Sequence, residues 1–453
     1  MKELVIRAME KNLALRLMVL ACAGCMGFSA SQAQGASLSE SVSRAISTHP
    51  VMQSKQATED MAGSFLREQK SNYYPTIGAT ARTGHLEQDD NISRSLTGGS
   101  ADTWLGEGSV TLTQPLFAGF GNVERVRAAR DRAAAAKFES GGAGEEVALK
   151  AARAHLNLMR TRELLNLAND YLERIKERKA SIVLMVEEGA ADEAELLQAE
   201  EMYMAVRATR LGYEEGFRQA EADYIQAVGA PPGESLEFGQ DTWAQLIPAS
   251  LEEAISKGAL ENPRVKSAAS VVDALGHDAD VAKSSLFPQV SAELSYLNKD
   301  QDDNVGGELK SAQAMLKMSW SFSTGGAQFA RHERSLNERR EAQARRDDAR
   351  RTVEHDVRQK YTSMQIVDRQ FQLMQDREQA AEKLINNYMA QFEGGRQTNL
   401  QLINANSRLF DAKAARTDAF YRRLLARFEL LNVMGRLRSA FRVQSASAAP
   451  DGR

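Results

Sequence analysis

Residues 158–192 read LMRTRELLNLANDYLERIKERKASIVLMVEEGAAD. Within them Leu158, Thr161, Leu165, Ala168, Leu172, Ile175, Lys179, Ile182 and Val186 follow one another at alternating steps of three and four. That spacing is the seam of a helix packed lengthwise on other helices. The pattern breaks at Glu187-Glu188-Gly189-Ala190-Ala191-Asp192 and resumes as Ala199, Met202, Val206, Thr209, Tyr213, Gly216 and Ala220. Gly189 suits the turn and Asp192 can cap the helix that follows, so the two runs form an antiparallel hairpin. No proline interrupts residues 119–229. The first arm, from about Gly121 to Glu187, would be about 100 Å long at 1.5 Å per residue. A helix of that reach bridges a distance instead of filling a compact core.

The hairpin occurs twice. Adding 206 carries Leu158 to Met364, Leu165 to Phe371, Ala168 to Met374, Ile182 to Tyr388 and Val186 to Phe392. Gly189 falls on Gly395, Ala199 on Ala405 and Gly229 on Gly435. Upstream the offset is 213. A short helix from Ser37-Leu38 to His49-Pro50 matches Ser250-Leu251 to Asn262-Pro263, and a second helix from Val51 matches one from Arg264. Pro75 matches Pro288. Eight of the nine prolines (50, 75, 115, 231, 232, 248, 263, 288) read as element boundaries, and Pro450 lies in a polar tail.

After Pro288 the period changes to two. Val290, Ala292, Leu294 and Tyr296 alternate with Gln289, Ser291, Glu293 and Ser295, and Ala314, Leu316, Met318, Trp320 and Phe322 alternate with polar or weakly apolar residues. The first copy repeats this more weakly in Thr76 to Arg82 and Gly108 to Thr113. Such alternation marks strands with one apolar and one polar face, and about ten residues suffice for a tilted strand to cross a bilayer. Polar loops with Asp89-Asp90-Asn91 and Asp302-Asp303-Asn304 separate the strands of each pair. The offset drops from 213 to 206 across them, so the length change sits in an exposed loop tip. Four strands per chain cannot close a barrel, and an open edge in lipid leaves backbone groups unsatisfied. The chain must therefore associate with copies of itself, and three copies would give twelve strands.

Met1 to Arg16 carries Lys2, Arg7, Lys11 and Arg16, followed by the apolar run Leu17 to Phe28 and by Ser31-Gln32-Ala33. This is the build of a secretory signal peptide, with cleavage after Ala33. Both cysteines, Cys22 and Cys25, lie inside it, so cleavage there leaves no thiol for disulfide chemistry. Ala23-Gly24-Cys25 is also similar to the end of a lipoprotein box, with Cys22 where that box prefers leucine. The net charge of -4 and the mixed charged residues indicate no nucleic-acid partner.

Histidines 49, 85, 155, 277, 332 and 355 are not spaced as metal ligands. Asp300 to Asn304 lacks the glycine (Val305) and the glutamate (Ser311) of a calcium loop. Neither a metal, a cofactor nor a catalytic constellation is expected. Gly141-Gly142-Ala143-Gly144 lies inside the first long helix, where each glycine costs roughly 0.8–1 kcal/mol relative to alanine. Its counterpart is Asp347-Asp348-Ala349-Arg350, so the cluster is peculiar to the first copy. A local bend and a close helix contact would both explain it.

The duplicated order of helices, strand hairpin, long helix, glycine turn and returning helix resembles the TolC family of outer-membrane efflux proteins. Phe392-Glu393-Gly394-Gly395-Arg396-Gln397-Thr398-Asn399-Leu400-Gln401-Leu402-Ile403-Asn404-Ala405 looks like that family's tip sequence. So do Thr113-Gln114-Pro115-Leu116-Phe117-Ala118-Gly119 and the closing Ala227-Val228-Gly229. The resemblance runs from Ser37 to about Gly435. It divides the chain into a signal peptide (1–33), a first repeat (37–249), a second repeat (250–440) and a flexible tail (441–453). The first repeat has a strand hairpin at 75–117 and a helical hairpin at 119–229; the second has them at 287–323 and 325–435. The implied fold is mainly helical with a β-barrel part: a homotrimer with a twelve-stranded barrel in outer-membrane lipid, on an α-helical tunnel. The implied function is a non-enzymatic exit duct working with a periplasmic adaptor and an inner-membrane transporter of ABC type. The turn Glu187 to Asp192 resembles the branch that serves type I protein secretion; drug or metabolite efflux is the alternative. A soluble periplasmic coiled-coil adaptor would explain the hairpins but not the four alternating segments.

The resemblance also implies a gate at the periplasmic tips. The family's lumen-facing aspartates correspond to Gln401 and Asn404, with Glu195 and Gln198 as the pair in the first copy. Its closing tyrosine and arginine correspond to Phe392 and Gln397. Phe392 packing and an Arg396–Glu195 pair are the expected lock, with the turns made at Gly189 and Gly395. Amides in place of acids imply weaker cation selectivity.

Overall fold

The computed structural model describes residues 36–89, 91, 94–95, 98–233, 236–238, 242–300, 307–394 and 396–441. The leader 1–33 with its cysteines, Asp90, Asp302-Asp303-Asn304, Gly395 and the tail beyond 441 lie outside the described residues. The first copy comprises β1 (Ala36–Ser37), α1 (Leu38–Thr48), α2 (Pro50–Ser71), β2 (Thr76–Gln88), β3 (Ala101–Ala118), α3 (Gly121–Glu187) and α4 (Glu193–Val228). A short strand β4 (Leu236–Glu237) and a 3-10 turn (Thr242–Leu246) lead to the second copy. That copy comprises α5 (Leu251–Glu261), α6 (Pro263–Ser284), β5 (Gln289–Asp300), β6 (Leu309–Ser319), α7 (Ala327–Glu393) and α8 (Asn399–Val433). Both α3 and α7 run for 67 residues, and their ends differ by the 206 read from the seam.

Local chemistry sets the boundaries. Ser37 and Ser250 cap α1 and α5 by accepting from the backbone N–H of Glu40 and Glu253. His49 and Asn262 end those helices and cap α2 and α6, each of which opens on a proline. Proline suits the first turn of a helix because its missing N–H has no partner to lose there.

The helices lie side by side in a layer four wide. At the hairpin level the order is α4–α3–α8–α7, and nearer the strands it is α2–α3–α6–α7. Ile175 and Ile182 of α3 pack with Ala199 and Val206 of α4 along the expected seam. Ile385 of α7 packs with Leu402 and Leu409 of α8. Where the two levels meet, Leu38 and Val42 of α1, Leu156 and Leu158 of α3, Tyr224 of α4 and Phe428 of α8 form the largest core, with Trp243 edge-on to Phe428.

Several details depart from the sequence reading. Pro115 is not at a boundary: it sits inside β3, at a register shift between Pro115 and Phe117. A bulge tolerates the missing N–H that a regular ladder would not. Trp320 and Phe322 lie beyond the end of β6, where the Trp320 indole donates to Leu286 O at 3.2 Å. Phe441, assigned to the tail, is buried in the main core. The parallel pair β1–β4 was not foreseen.

Of the glycine cluster only Gly144 is needed for a close contact, since Gly141 faces open space and Gly142 has ordinary room beside Pro263. α3 runs unbroken through the cluster, and a Cβ on Gly144 would lie 2.8 Å from Arg438. The adjacent buried Glu145 accepts from the N–H groups of Leu437 (2.8 Å) and Arg438 (3.2 Å), which docks the C-terminal segment on α3.

Gly435 closes α8 with φ +74°, and a Cβ there would meet Pro263 Cδ at 2.6 Å and Asn262 Cα at 3.1 Å. Its repeat partner Gly229 has φ +80° but faces only the Thr48 hydroxyl at 3.2 Å. A left-handed residue costs about 1–2 kcal/mol without glycine, and overpacking costs about 1–3 more. Gly435→Ala should therefore lower thermal stability well beyond Gly229→Ala, a ranking that parallel melts by circular dichroism check.

Candidate functional site: the open sheet and the hairpin tips

The four long strands form one antiparallel sheet in the order β2-β3-β5-β6. Register sorts their side chains into two faces. Ile77, Leu112, Leu294 and Ala314 lie across from one another in one row, and Ala79, Val110, Tyr296 and Ala312 in the next. Ala292 faces Leu316 and Val290 faces Met318 on the same side. The opposite face carries the Thr80–Ser109 hydroxyl pair at 2.7 Å, Arg82–Glu107 at 2.7 Å and Lys317–Glu293 at 3.2 Å. Leu297, Leu309 and Met315 interrupt that polar face without changing its character. β2 and β6 each use only one edge, so among the described residues both outer edges of the sheet lack a partner.

At the far end each hairpin turns tightly. Gly189 takes φ +73°, the N–H of Ala190 reaches back to Met185 O at 2.7 Å, and Asp192 caps α4 by accepting from Glu195 N at 2.8 Å. In the second hairpin Arg396 N donates to Gln391 O at 2.9 Å. Thr398 and Gln401 then form a reciprocal capping box that opens α8. Gln401 is thus engaged with its own helix start, a role that Thr-x-x-Gln announces in the sequence. Asn404 and Gln198 are exposed, and Glu195 is half-buried. Gln397 donates to the Gln391 side chain at 2.8 Å.

Phe392 does pack, against the core made by Ile385, Leu402, Ala405 and Leu409. The cation it meets is not Arg396. Arg178 of α3 stands 5.8 Å from the Phe392 ring centroid and donates to Met389 Sδ, which ties the two hairpins together within one chain. Arg396 is exposed and does not pair with Glu195 inside the protomer. Sequence reasoning missed Arg178 because it sits in α3, far from the turn residues. It likewise missed Asn399, buried at the start of α8, whose amide reaches Met185 Sδ at 3.2 Å.

No described helix is long and apolar enough to cross a membrane. A two-faced open sheet carried on long helical hairpins defines a subunit of an outer-membrane channel. A family model described as outer membrane efflux protein matches residues 41–230 and 254–436, and the chain belongs to that family. It is 22% identical over 370 residues, 81% of this chain and 78% of the relative, to the outer membrane efflux protein BepC of Brucella suis. It is 26% identical over 192 residues, 42% of this chain and 36% of the relative, to the fusaric acid resistance protein FusA of Burkholderia cepacia. The fold matches the Campylobacter jejuni CmeC outer membrane channel with a TM-score of 0.74 at 15% identity, covering 91% of this chain and 89% of that one.

Proposed function

We propose that three copies of this chain close into a twelve-stranded barrel over a tunnel twelve helices around. The assembly is the outer-membrane exit duct of a transporter and adaptor complex. The unpaired edges of β2 and β6 carry this reading, since lipid tolerates no open sheet edge. The helical layer has the same incompleteness. Leu197, Met204 and Leu211 stand exposed at steps of seven along α4, and Ile366 and Leu373 do so along α7. α4 and α7 are the two edges of the layer at the hairpin level. Exposed heptad stripes on both edge helices are the seams of a coiled coil whose partner is the next copy.

The reading of the first tip assigns the duct to unfolded proteins moved by an ABC-type transporter through a periplasmic adaptor. The relative named for fusaric acid resistance favours a second reading, efflux of small toxic molecules. A strain lacking the gene separates them: loss of specific extracellular proteins supports the first, and sensitivity to small compounds with an unchanged set of secreted proteins supports the second. Loss of neither function would contradict the duct itself.

The tips would form the gate. Phe392 with Arg178 holds each protomer's two hairpins together, and Arg396 meets Glu195 of an adjacent copy. Glu195→Gln and Arg396→Gln, singly and together, should raise channel opening several-fold in planar bilayers, the double variant no more than either single one. Unchanged opening in all three would discard the lock.

A further inference from the structure

α3 leaves the sheet directly after β3, and α6 enters it directly before β5. Where they pass each other at that junction, charged groups from both helices converge on one imidazole. His277 Nδ1 lies 2.6 Å from Glu124 Oε2, and its Nε2 lies 3.4 Å from Asp131 Oδ2. Asp280, three residues along α6, shares the His277 face. Glu124, His277 and Asp280 each bring a ligand atom within 4.8 Å of the others, the one such grouping of His, Cys, Asp and Glu among the described residues. Glu124 and His277 are partly buried.

We propose that Glu124, His277 and Asp280 bind a divalent transition-metal ion of the zinc class, which clips α3 to α6 beside the barrel. The second carboxylate on the ring gives the site its direction. Nδ1–H donates to Glu124 Oε2 at 2.6 Å, and a seated ion would take the place of that proton, while Asp131 faces the other ring nitrogen at 3.4 Å, the carboxylate–imidazole–metal arrangement that orients ligating histidines. Arg127 takes the other oxygen of Glu124, Oε1, at 2.7 Å, so Oε2 is left to His277 and to an ion that would enter between them. Asp278 is occupied by Arg132 and is no competitor. One nitrogen and two carboxylates suit zinc, cobalt or manganese, and are too few oxygens for calcium. Seating the ion requires the Glu124–His277 contact to open to about 3 Å, within reach of two side-chain rotations, since each ligand sits roughly 2.0–2.2 Å from zinc. Nothing in this site depends on the duct reading.

The test uses the full detergent-solubilised protein, stripped of metal and titrated with Co²⁺ and then Zn²⁺. Visible d–d bands should grow with Co²⁺, vanish on Zn²⁺ addition, and accompany a rise in Tm. His277→Gln should abolish the bands. Asp131→Asn should weaken binding about 10- to 100-fold through loss of ring orientation. Asp280→Asn, a change at an exposed residue that folding tolerates, should weaken it at least as much. Absence of bands in the wild type, or bands of equal affinity in all three variants, overturns the proposal. The mass of the complex, read on the same samples, reports separately on assembly.

Discussion

Leu294→Arg is expected to abolish the heat-resistant oligomer in outer-membrane extracts, while Ser295→Arg, one residue away, leaves it intact. Leu294 is 52% exposed on the apolar face of β5, directly across from Leu112 and Ala314 near the middle of the strands. Arginine on the lipid face near the bilayer midplane costs about 2–4 kcal/mol per chain, so three copies lose roughly 6–12 kcal/mol. Ser295 lies across from Thr111 and Gln313 on the polar face, where the cation would enter a wet lumen. Gel mobility with and without boiling reads the outcome. Equal assembly of both variants would mean that the two faces are wrongly assigned.

The second large effect is acid lability centred on His155. This histidine is fully buried in the main core, with Nδ1 3.0 Å from Ser41 Oγ, and Ser41 in turn 2.8 Å from the Tyr224 hydroxyl. Its Nε2 lacks a hydrogen bond of good geometry. Burial pushes the imidazole down to about 4, with the Glu237 backbone offsetting part of the cost. In the unfolded chain the same group titrates near 6.5. Between those values the unfolded state binds the extra proton, so stability is full above about pH 6.5 and falls as pH drops towards 4. The loss is about 3 kcal/mol per chain, and every copy in an oligomer contributes it. His155→Gln should flatten the pH dependence of Tm across that window. An equally steep profile in the variant would move the acid sensitivity elsewhere.

The fold was legible to a degree set by how long each pattern runs. The seam from Leu158 to Val186 and its copy at 206 place the tip ends of α3 and α7, because a step error would have compounded over many turns. The offset of 213 places α1, α2, α5 and α6. Strand extent was less clear: β3 continues to 18 residues through Gly106 and Gly108, where alternation fades for want of side chains. The two-residue pair β1–β4 carries no period at all. Docking of Leu437 on Glu145 depends on residues 292 apart, beyond any local signal.

The tips show a different limit. Correspondence with the family drew attention to Gln401 as a lumen residue, although Thr398-x-x-Gln401 is itself a helix-start signature and the side chain is used that way. The contact of Arg178 with Phe392 and that of His277 with Glu124 both join helices whose relative rotation a single sequence does not state.

Closure of the open edges of β2 and β6 by further copies of the same chain is what would turn the sheet into a duct. Light scattering with refractive-index and absorbance detection on the detergent-purified protein measures the polypeptide mass of the complex directly. Three chains per particle, held in a detergent belt, is the predicted result. A single chain that stays dispersed in buffer without detergent would contradict it.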